Sequence, residues 1–206
     1  MSRVVLWDYP KSSASYRVRI ALNLAGLDYD IETVNLLEKA HRSADHLARN
    51  PQGFVPVLDI DGVRLTQSLA IVDYLDQTRG LGLLPVDLVA RAKAQAAAYA
   101  IAVDIHPVCN LSVVGYATGG QEPARTDWMK QFIRPGLVAV EALLQDASQS
   151  SFAMGDTPGL VDICLMPQLY NAQRWGVDVS DLVRMNAVAE KCAAHPAFQA
   201  AHPDHA

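Results

Sequence analysis

Val4-Val5-Leu6-Trp7, followed by Lys11-Ser12-Ser13-Ala14-Ser15-Tyr16-Arg17-Val18-Arg19-Ile20-Ala21-Leu22, is the stretch whose reading decides the fold. The short apolar run predicts a strand. Val18, Ala21, Leu22 and Ala25 then recur at helical spacing until Gly26 supplies a stop. Hydroxyls crowd the junction between the two. A helix N-terminus carries unpaired N–H groups and a partial positive charge, so a serine there both caps the helix and faces an anion. A thiolate suits that geometry as well as a phosphate does, because hydrogen bonds and positive potential lower a thiol pKa. Taken alone, this segment favours plain helix capping for these serines.

Working outward, Tyr29 to Val34 predicts a second strand, and two strands joined through a helix imply a right-handed parallel crossover. Val57-Leu58-Asp59-Ile60 and Val63-Arg64-Leu65-Thr66 flank Asp61-Gly62, a two-residue hairpin signal. Ser68 opens a further helix with Leu69, Val72 and Leu75 on one face. The order strand-helix-strand-helix-strand-strand-helix describes a small α/β domain over residues 1–80. Gly80-Leu81-Gly82-Leu83-Leu84-Pro85 marks a boundary, with a linker at 81–87. Beyond it, over 88–206, the sequence predicts helices only. Ala92, Ala96, Tyr99, Ala100 and Val103 form one expected core stripe. Met129, Phe132, Ile133, Gly136, Leu137, Val140 and Leu144 form another. A third helix, around Leu160 to Arg174, contains Pro167, which is expected to kink it. The fold class is therefore α/β followed by all-α.

Of the 206 residues, half are apolar, enough for a sizeable core. A net charge of −5 argues against a nucleic-acid surface, and Arg17 with Arg19 make a local cluster rather than a basic stripe. No stretch reaches the roughly 18 apolar residues of a membrane span, and Met1-Ser2-Arg3-Val4 does not open a signal peptide. Cys109, Cys164 and Cys192 form an odd set without Cys-x-x-Cys, fitting buried thiols in a reduced, cytoplasmic setting. His41, His46, His106 and His195 are scattered, and His202 and His205 fall in a terminal segment expected to be solvated and disordered. No metal site is expected.

Four further features align with the serine segment. Val55-Pro56 follows Asn50-Pro51-Gln52-Gly53-Phe54, Gln67-Ser68 sits where the hairpin feeds a helix, Gly155-Asp156 precedes a helix carrying Asp162, and Tyr170-Asn171-Ala172-Gln173-Arg174-Trp175-Gly176-Val177-Asp178 closes that helix. Together they resemble the glutathione transferase superfamily, and within it the zeta class, which includes the maleylacetoacetate isomerases. The resemblance runs from the first strand to the tail. It implies a thioredoxin-like N-terminal domain followed by an all-helical C-terminal domain, glutathione as cosubstrate, a site in the cleft between the domains, and a homodimer.

The resemblance also implies roles for individual residues. Ser12 would donate a hydrogen bond to the glutathione sulfur, with Ser13 supporting it. Val55 would pair its backbone with the tripeptide's cysteinyl residue, the Val55-Pro56 bond being cis in this superfamily. Gln67 and Ser68 would hold the γ-glutamyl carboxylate. His41 stands where relatives often carry glutamine and would reach the glycyl carboxylate, or else be a solvated loop residue. His106 and Asn110, four apart, would share a helical face toward the cleft. Arg174 would grip a substrate carboxylate, with Lys11 adding positive potential. Two departures stand out. Ala14 replaces a family cysteine, so the chemistry rests on glutathione alone. Gly159 replaces a Ser or Thr helix cap.

The activity implied is glutathione-dependent cis–trans isomerisation of maleylacetoacetate to fumarylacetoacetate, a step of tyrosine and phenylalanine catabolism. The substrate class is a small dicarboxylate or diketo acid. The alternatives are maleylpyruvate isomerisation, transferase or dehalogenase action on small α-haloacids, and a non-catalytic glutathione-binding role.

Overall fold

A computed structural model describes residues 3–145 and 150–205. The chain divides into two compact units, Met1–Leu81 with His195–Ala206, and Gly82–Ala194.

In the first unit the strands are β1 (Val5–Asp8), β2 (Asp30–Thr33), β3 (Val57–Ile60) and β4 (Val63–Thr66), with helices α1 (Ser13–Leu24), α2 (Ala44–Arg49) and α3 (Ser68–Arg79). The sheet order is β2-β1-β3-β4. β1 pairs in parallel with β2, and the other two pairings are antiparallel. The parallel pair follows from the helical crossover, as the sequence predicts. At the hairpin both Asp61 (φ +53°) and Gly62 (φ +81°) adopt the left-handed region that a type I′ turn requires. Asp61 is held there by Tyr74 Oη at 2.8 Å and by Arg79 Nη2.

α1 is enclosed along almost its whole length, and it encloses two arginines with it. The Arg19 side chain is fully buried. Its Nη1 donates to both carboxylate oxygens of Asp8, at 2.8 and 2.7 Å, its Nη2 to Pro10 O at 2.9 Å, and its Nε to Ala201 O at 2.9 Å. One guanidinium thus ties the end of β1, the turn that leads into α1, and the C-terminal segment.

That segment, placed in the helical half by its position in the sequence, packs instead on α1. It contains α10 (Pro196–Ala200), whose Ala197 O accepts from Asn23 Nδ2. The expected disordered histidine tail is corrected at the same point. His205 Nδ1 lies 3.0 Å from Gln199 O, and the His202 ring meets Tyr16 edge-on.

The second unit is helical. α4 (Leu88–Tyr99) runs through a π-helical segment (Ala100–Ile105) into the short α5 (His106–Val108). α6 (Leu111–Thr118), α7 (Ala124–Leu143), α8 (Leu160–Arg174) and α9 (Val183–Ala193) follow. Buried Met129, Ile133, Leu137 and Val140 line α7 as predicted, whereas Phe132, expected in the same stripe, is exposed. On α4 the predicted face is the wrong one. Ala94, Ala97, Ala98, Ile101, Ala102 and Ile105 are buried, whereas of the predicted stripe Ala92, Ala96, Tyr99 and Val103 are exposed and Ala100 is half-buried. Alanines surround this helix, so periodicity offered two apolar faces. The smaller one packs against α8 and α7.

α8 contributes ten buried positions and forms the centre of the unit. Gly159 is its N-cap, and Asp162 supplies the missing cap side chain from within the helix. Asp162 Oδ2 accepts from Gly159 N at 2.8 Å, and Oδ1 from Ala153 N at 2.9 Å. A Cβ at residue 159 would lie 3.1 Å from Leu83 O, a tight contact that a side chain here would have to relieve by a small shift.

Breaking the buried pair by Arg19→Met leaves the Asp8 carboxylate enclosed without its partner. Urea denaturation should show a loss of about 3–5 kcal/mol in unfolding free energy. A loss below about 1 kcal/mol, the value of a surface ion pair, would mean that the pair does not hold the unit together.

Candidate active site

The sheet register brings three sequence-predicted segments to one end of the sheet. Trp7 near the end of β1 pairs with Val57 at the start of β3, which pairs with Thr66 at the end of β4. The Ser12 turn, Val55-Pro56 and Gln67-Ser68 each adjoin one of these positions, so all three lie at the same end of the sheet.

Ser12 is the N-cap of α1, with extended backbone (φ −78°, ψ 118°). Its Oγ accepts from Ser15 N at 3.2 Å. The preceding turn is closed by Ser12 N donating to Tyr9 O at 2.8 Å. A serine hydroxyl has one hydrogen and two lone pairs. An oxygen engaged as a cap acceptor keeps its hydrogen for an outside acceptor. Ser13 is buried at the first helical position, Ala14 is half-buried, and Lys11 is exposed beside them.

The Val55-Pro56 bond is cis, and both residues are buried against the sheet. Gln67 stands at φ +67°, ψ 110°, a strained conformation for a residue with a side chain. Its Nε2 donates to Gln52 Oε1 at 2.7 Å, and it makes no side-chain bond to α3, whose N-cap it is. Ser68 opens α3 at 6% exposure, and its Oγ accepts from Arg17 Nε at 3.0 Å. Neither α1 nor α3 carries an acidic residue in its first turn, so no first-turn carboxylate opposes the positive potential of either N-terminus.

His41 lies in a 3₁₀ turn (Ala40–Arg42), half-buried, with Nδ1 enclosed and without a hydrogen-bond partner. Burial, then neighbouring Arg42, holds its pKa below the usual imidazole range. It therefore acts as a neutral imidazole near neutral pH.

The remaining predicted residues belong to the helical unit. His106 and Asn110 do not share one continuous helix. The chain bends by 43° between Val108 and Leu111, and Asn110 is the N-cap of α6, its Oδ1 accepting from Ser112 N at 3.1 Å and Ser112 Oγ at 2.9 Å. An asparagine that offers its side chain to the next turn's N–H ends one helix and begins another. Arg174 is the last residue of α8, exposed, with its guanidinium 5.9 Å from the Tyr170 ring centre. It has no acidic partner among the described residues.

No protein thiol is prepared as a nucleophile. All three cysteines are buried. Burial pushes Cys109 up to about 11, and burial with the nearby Asp162 carboxylate pushes Cys192 higher still. Two residues at this end of the sheet escape sequence reasoning. Arg19 fixes the turn before Ser12, and Arg17 touches Ser68. Their signal was available, since arginines at 17 and 19 in a helix otherwise made of Val18, Ile20, Ala21 and Leu22 cannot both face solvent.

Comparison with known proteins places this geometry. The sequence profile of the family "Glutathione S-transferase, N-terminal domain" matches residues 2–77. The chain is 54% identical to the maleylacetoacetate isomerase of Rhizobium meliloti (strain 1021), covering 100% of this chain and 98% of that one. Among solved structures, a maleylpyruvate isomerase described as a bacterial zeta-class glutathione S-transferase superposes with TM-score 0.94. It is 36% identical, over 98% of each chain. The maleylacetoacetate isomerase of Anaeromyxobacter dehalogenans 2CP-1, with dicarboxyethyl glutathione and citrate bound in its active site, superposes with TM-score 0.87. It is 36% identical, over 99% of this chain and 92% of that one.

Proposed function

We infer, for a chain that belongs to the maleylacetoacetate isomerase family of zeta-class glutathione transferases, that it isomerises maleylacetoacetate to fumarylacetoacetate with glutathione as cosubstrate. The observation that carries the reading is Ser12. Its oxygen is engaged by Ser15 N–H at the acid-free N-terminus of α1, and its hydrogen remains for a ligand.

A cis double bond does not rotate at useful rates. Addition of the glutathione thiolate to the activated alkene makes that bond single. Rotation follows, and expulsion of the thiolate restores a trans double bond, so glutathione leaves unchanged. The nucleophile belongs to the cosubstrate, which suits a chain with Ala14 at the motif and its own thiols buried. The Ser12 hydroxyl and the α1 N-terminus favour the thiolate over the thiol. Val55 pairs with the cysteinyl backbone, Gln67 and Ser68 hold the γ-glutamyl carboxylate, and neutral His41 donates to the glycyl carboxylate. His106 and Asn110 add polar contacts to glutathione. Arg174, unpaired with any described acid, takes a substrate carboxylate through its planar fork, and Lys11 adds positive charge. The name of the 54% relative supports maleylacetoacetate as the substrate; a place in tyrosine and phenylalanine catabolism and a cytoplasmic setting belong to the same proposal.

The exposed face of α4 supports a homodimer. Val89, Ala92, Ala96, Tyr99 and Val103 are spaced three and four apart, the pattern of a seam between helices, and Val89 is 65% and Val103 53% exposed. A second copy of the same face would cover it.

Two measurements check these readings. Maleylacetone or maleylacetoacetate should isomerise catalytically without consuming glutathione. Ser12→Ala should lower turnover by roughly a hundredfold or more. Arg174→Ala should impair kcat/KM for the substrate while glutathione affinity stays. Turnover of maleylpyruvate but not of maleylacetoacetate would reassign the substrate, and binding without turnover of either would leave a binding role. In sedimentation, the protein should run at about twice its 22.3 kDa chain mass. The Val89→Glu/Val103→Glu double variant should run as a monomer, and an unchanged dimer would place the interface elsewhere.

A further inference from the structure

Arg17 lies on α1 just past the capping turn and is 3% exposed, yet its Nε reaches across to Ser68 Oγ at 3.0 Å, joining residues 51 apart in sequence. We propose that Arg17 is a positioning residue for glutathione's γ-glutamyl carboxylate. It fixes the Ser68 hydroxyl as a donor at the N-terminus of α3 and so gives the site its preference for a ligand carrying that carboxylate. The inference rests on the glutathione reading above.

A serine hydroxyl is ambivalent, with one hydrogen to give and two lone pairs to receive. The buried guanidinium removes the ambivalence. One lone pair of Ser68 accepts the cationic N–H, and the hydroxyl hydrogen turns away from the positive charge. A charge-assisted bond to the oxygen also polarises the O–H, which strengthens it as a donor. The direction left to that hydrogen is set by where Ser68 stands. It is the first residue of α3, whose N-cap Gln67 spends its side chain on Gln52 and makes no side-chain cap bond, and whose first turn holds no acid. A carboxylate at this end meets a polarised hydroxyl together with backbone N–H groups. Arginine is required for its geometry. The Nε–H of a planar guanidinium is held in direction by the groups on either side, whereas a lysine ammonium is a rotating point charge that does not fix the hydroxyl in the same way.

A plain strut between α1 and α3 would use the same hydrogen bond, but it would affect every ligand alike. Isothermal titration with two ligands separates these roles. One is glutathione, and the other is γ-aminobutyryl-cysteinyl-glycine, which lacks only the γ-glutamyl carboxylate. Arg17→Lys should weaken glutathione binding about tenfold, the scale of one charge-assisted bond. Its affinity for the truncated tripeptide should stay within about twofold of wild type, so that the ratio between the ligands collapses. In a Ser68→Ala background the Arg17 substitution should bring no further loss.

Equal weakening toward both ligands, or a full additional loss in Ser68→Ala, would overturn the proposal. Should Arg17→Lys not fold, Ser68→Ala carries the test by itself. It removes one oxygen and must collapse the same ratio, and an unchanged ratio overturns the proposal. A wild-type protein that binds neither tripeptide would overturn the glutathione reading itself. One that binds both, with a ratio untouched by either substitution, would overturn the role of Arg17 alone.

Discussion

The first unit depends on one buried ion pair. Arg19 and Asp8 give up all contact with water, and desolvating two charges is repaid only when geometry is good and the remaining hydrogen-bonding groups are satisfied. Both conditions hold. Asp8 receives Nη1 on both oxygens, and the rest of the guanidinium donates to Pro10 O and Ala201 O. What the pair fixes is the turn between β1 and α1. Asp8 ends the strand, Pro10 lies two residues before Ser12, and Ser12 N closes the turn on Tyr9 O. In the role proposed for Ser12, a hydroxyl presented to a sulfur needs its backbone held to within a fraction of an ångström. The holding comes from a residue two turns further along the same helix.

A common device then runs through the end of the sheet where the loops gather. Ser12 and Ser68 each open a helix, and each has its oxygen occupied by an N–H of the protein: the Ser15 backbone for one, the Arg17 side chain for the other. Occupying the acceptor side of a hydroxyl commits its hydrogen to the ligand. Two anionic groups of one tripeptide, the thiolate and the γ-glutamyl carboxylate, suit two such donors. The helix N-termini add positive potential without a net positive chain, consistent with an overall charge of −5.

The parts of the fold legible in the sequence were those governed by neighbours along the chain. Asp61-Gly62 specified a type I′ hairpin because both positions need left-handed backbone, and Ser12 announced a helix start because capping is local. The parts that were not legible depend on distant partners or on degenerate patterns. Arg19 meets Ala201 across 182 residues, which no window of sequence contains. On α4 an alanine-rich circumference presented two apolar stripes, and the exposed one, carrying the larger Tyr99 and Val103, looked more like core. His106 and Asn110 had helical spacing, but the cap that Asn110 makes for α6 breaks the helix between them. For the candidate site, the resemblance to a family supplied roles for the residues. The structure supplied the register, through Trp7, Val57 and Thr66, that brings three of its segments to one end of the sheet.

The central claim is that Ser12 and the α1 N-terminus make a thiolate of bound glutathione. The most direct test is an ultraviolet titration of the thiolate absorbance of the glutathione complex, in wild type and in Ser12→Ala. In wild type the bound thiol should titrate at least one unit below the value of about 8.5 typical of a free thiol. In Ser12→Ala the value should return most of the way toward it. A bound thiol that titrates like free glutathione in wild type, or a lowered value that survives the loss of Ser12, would contradict the account.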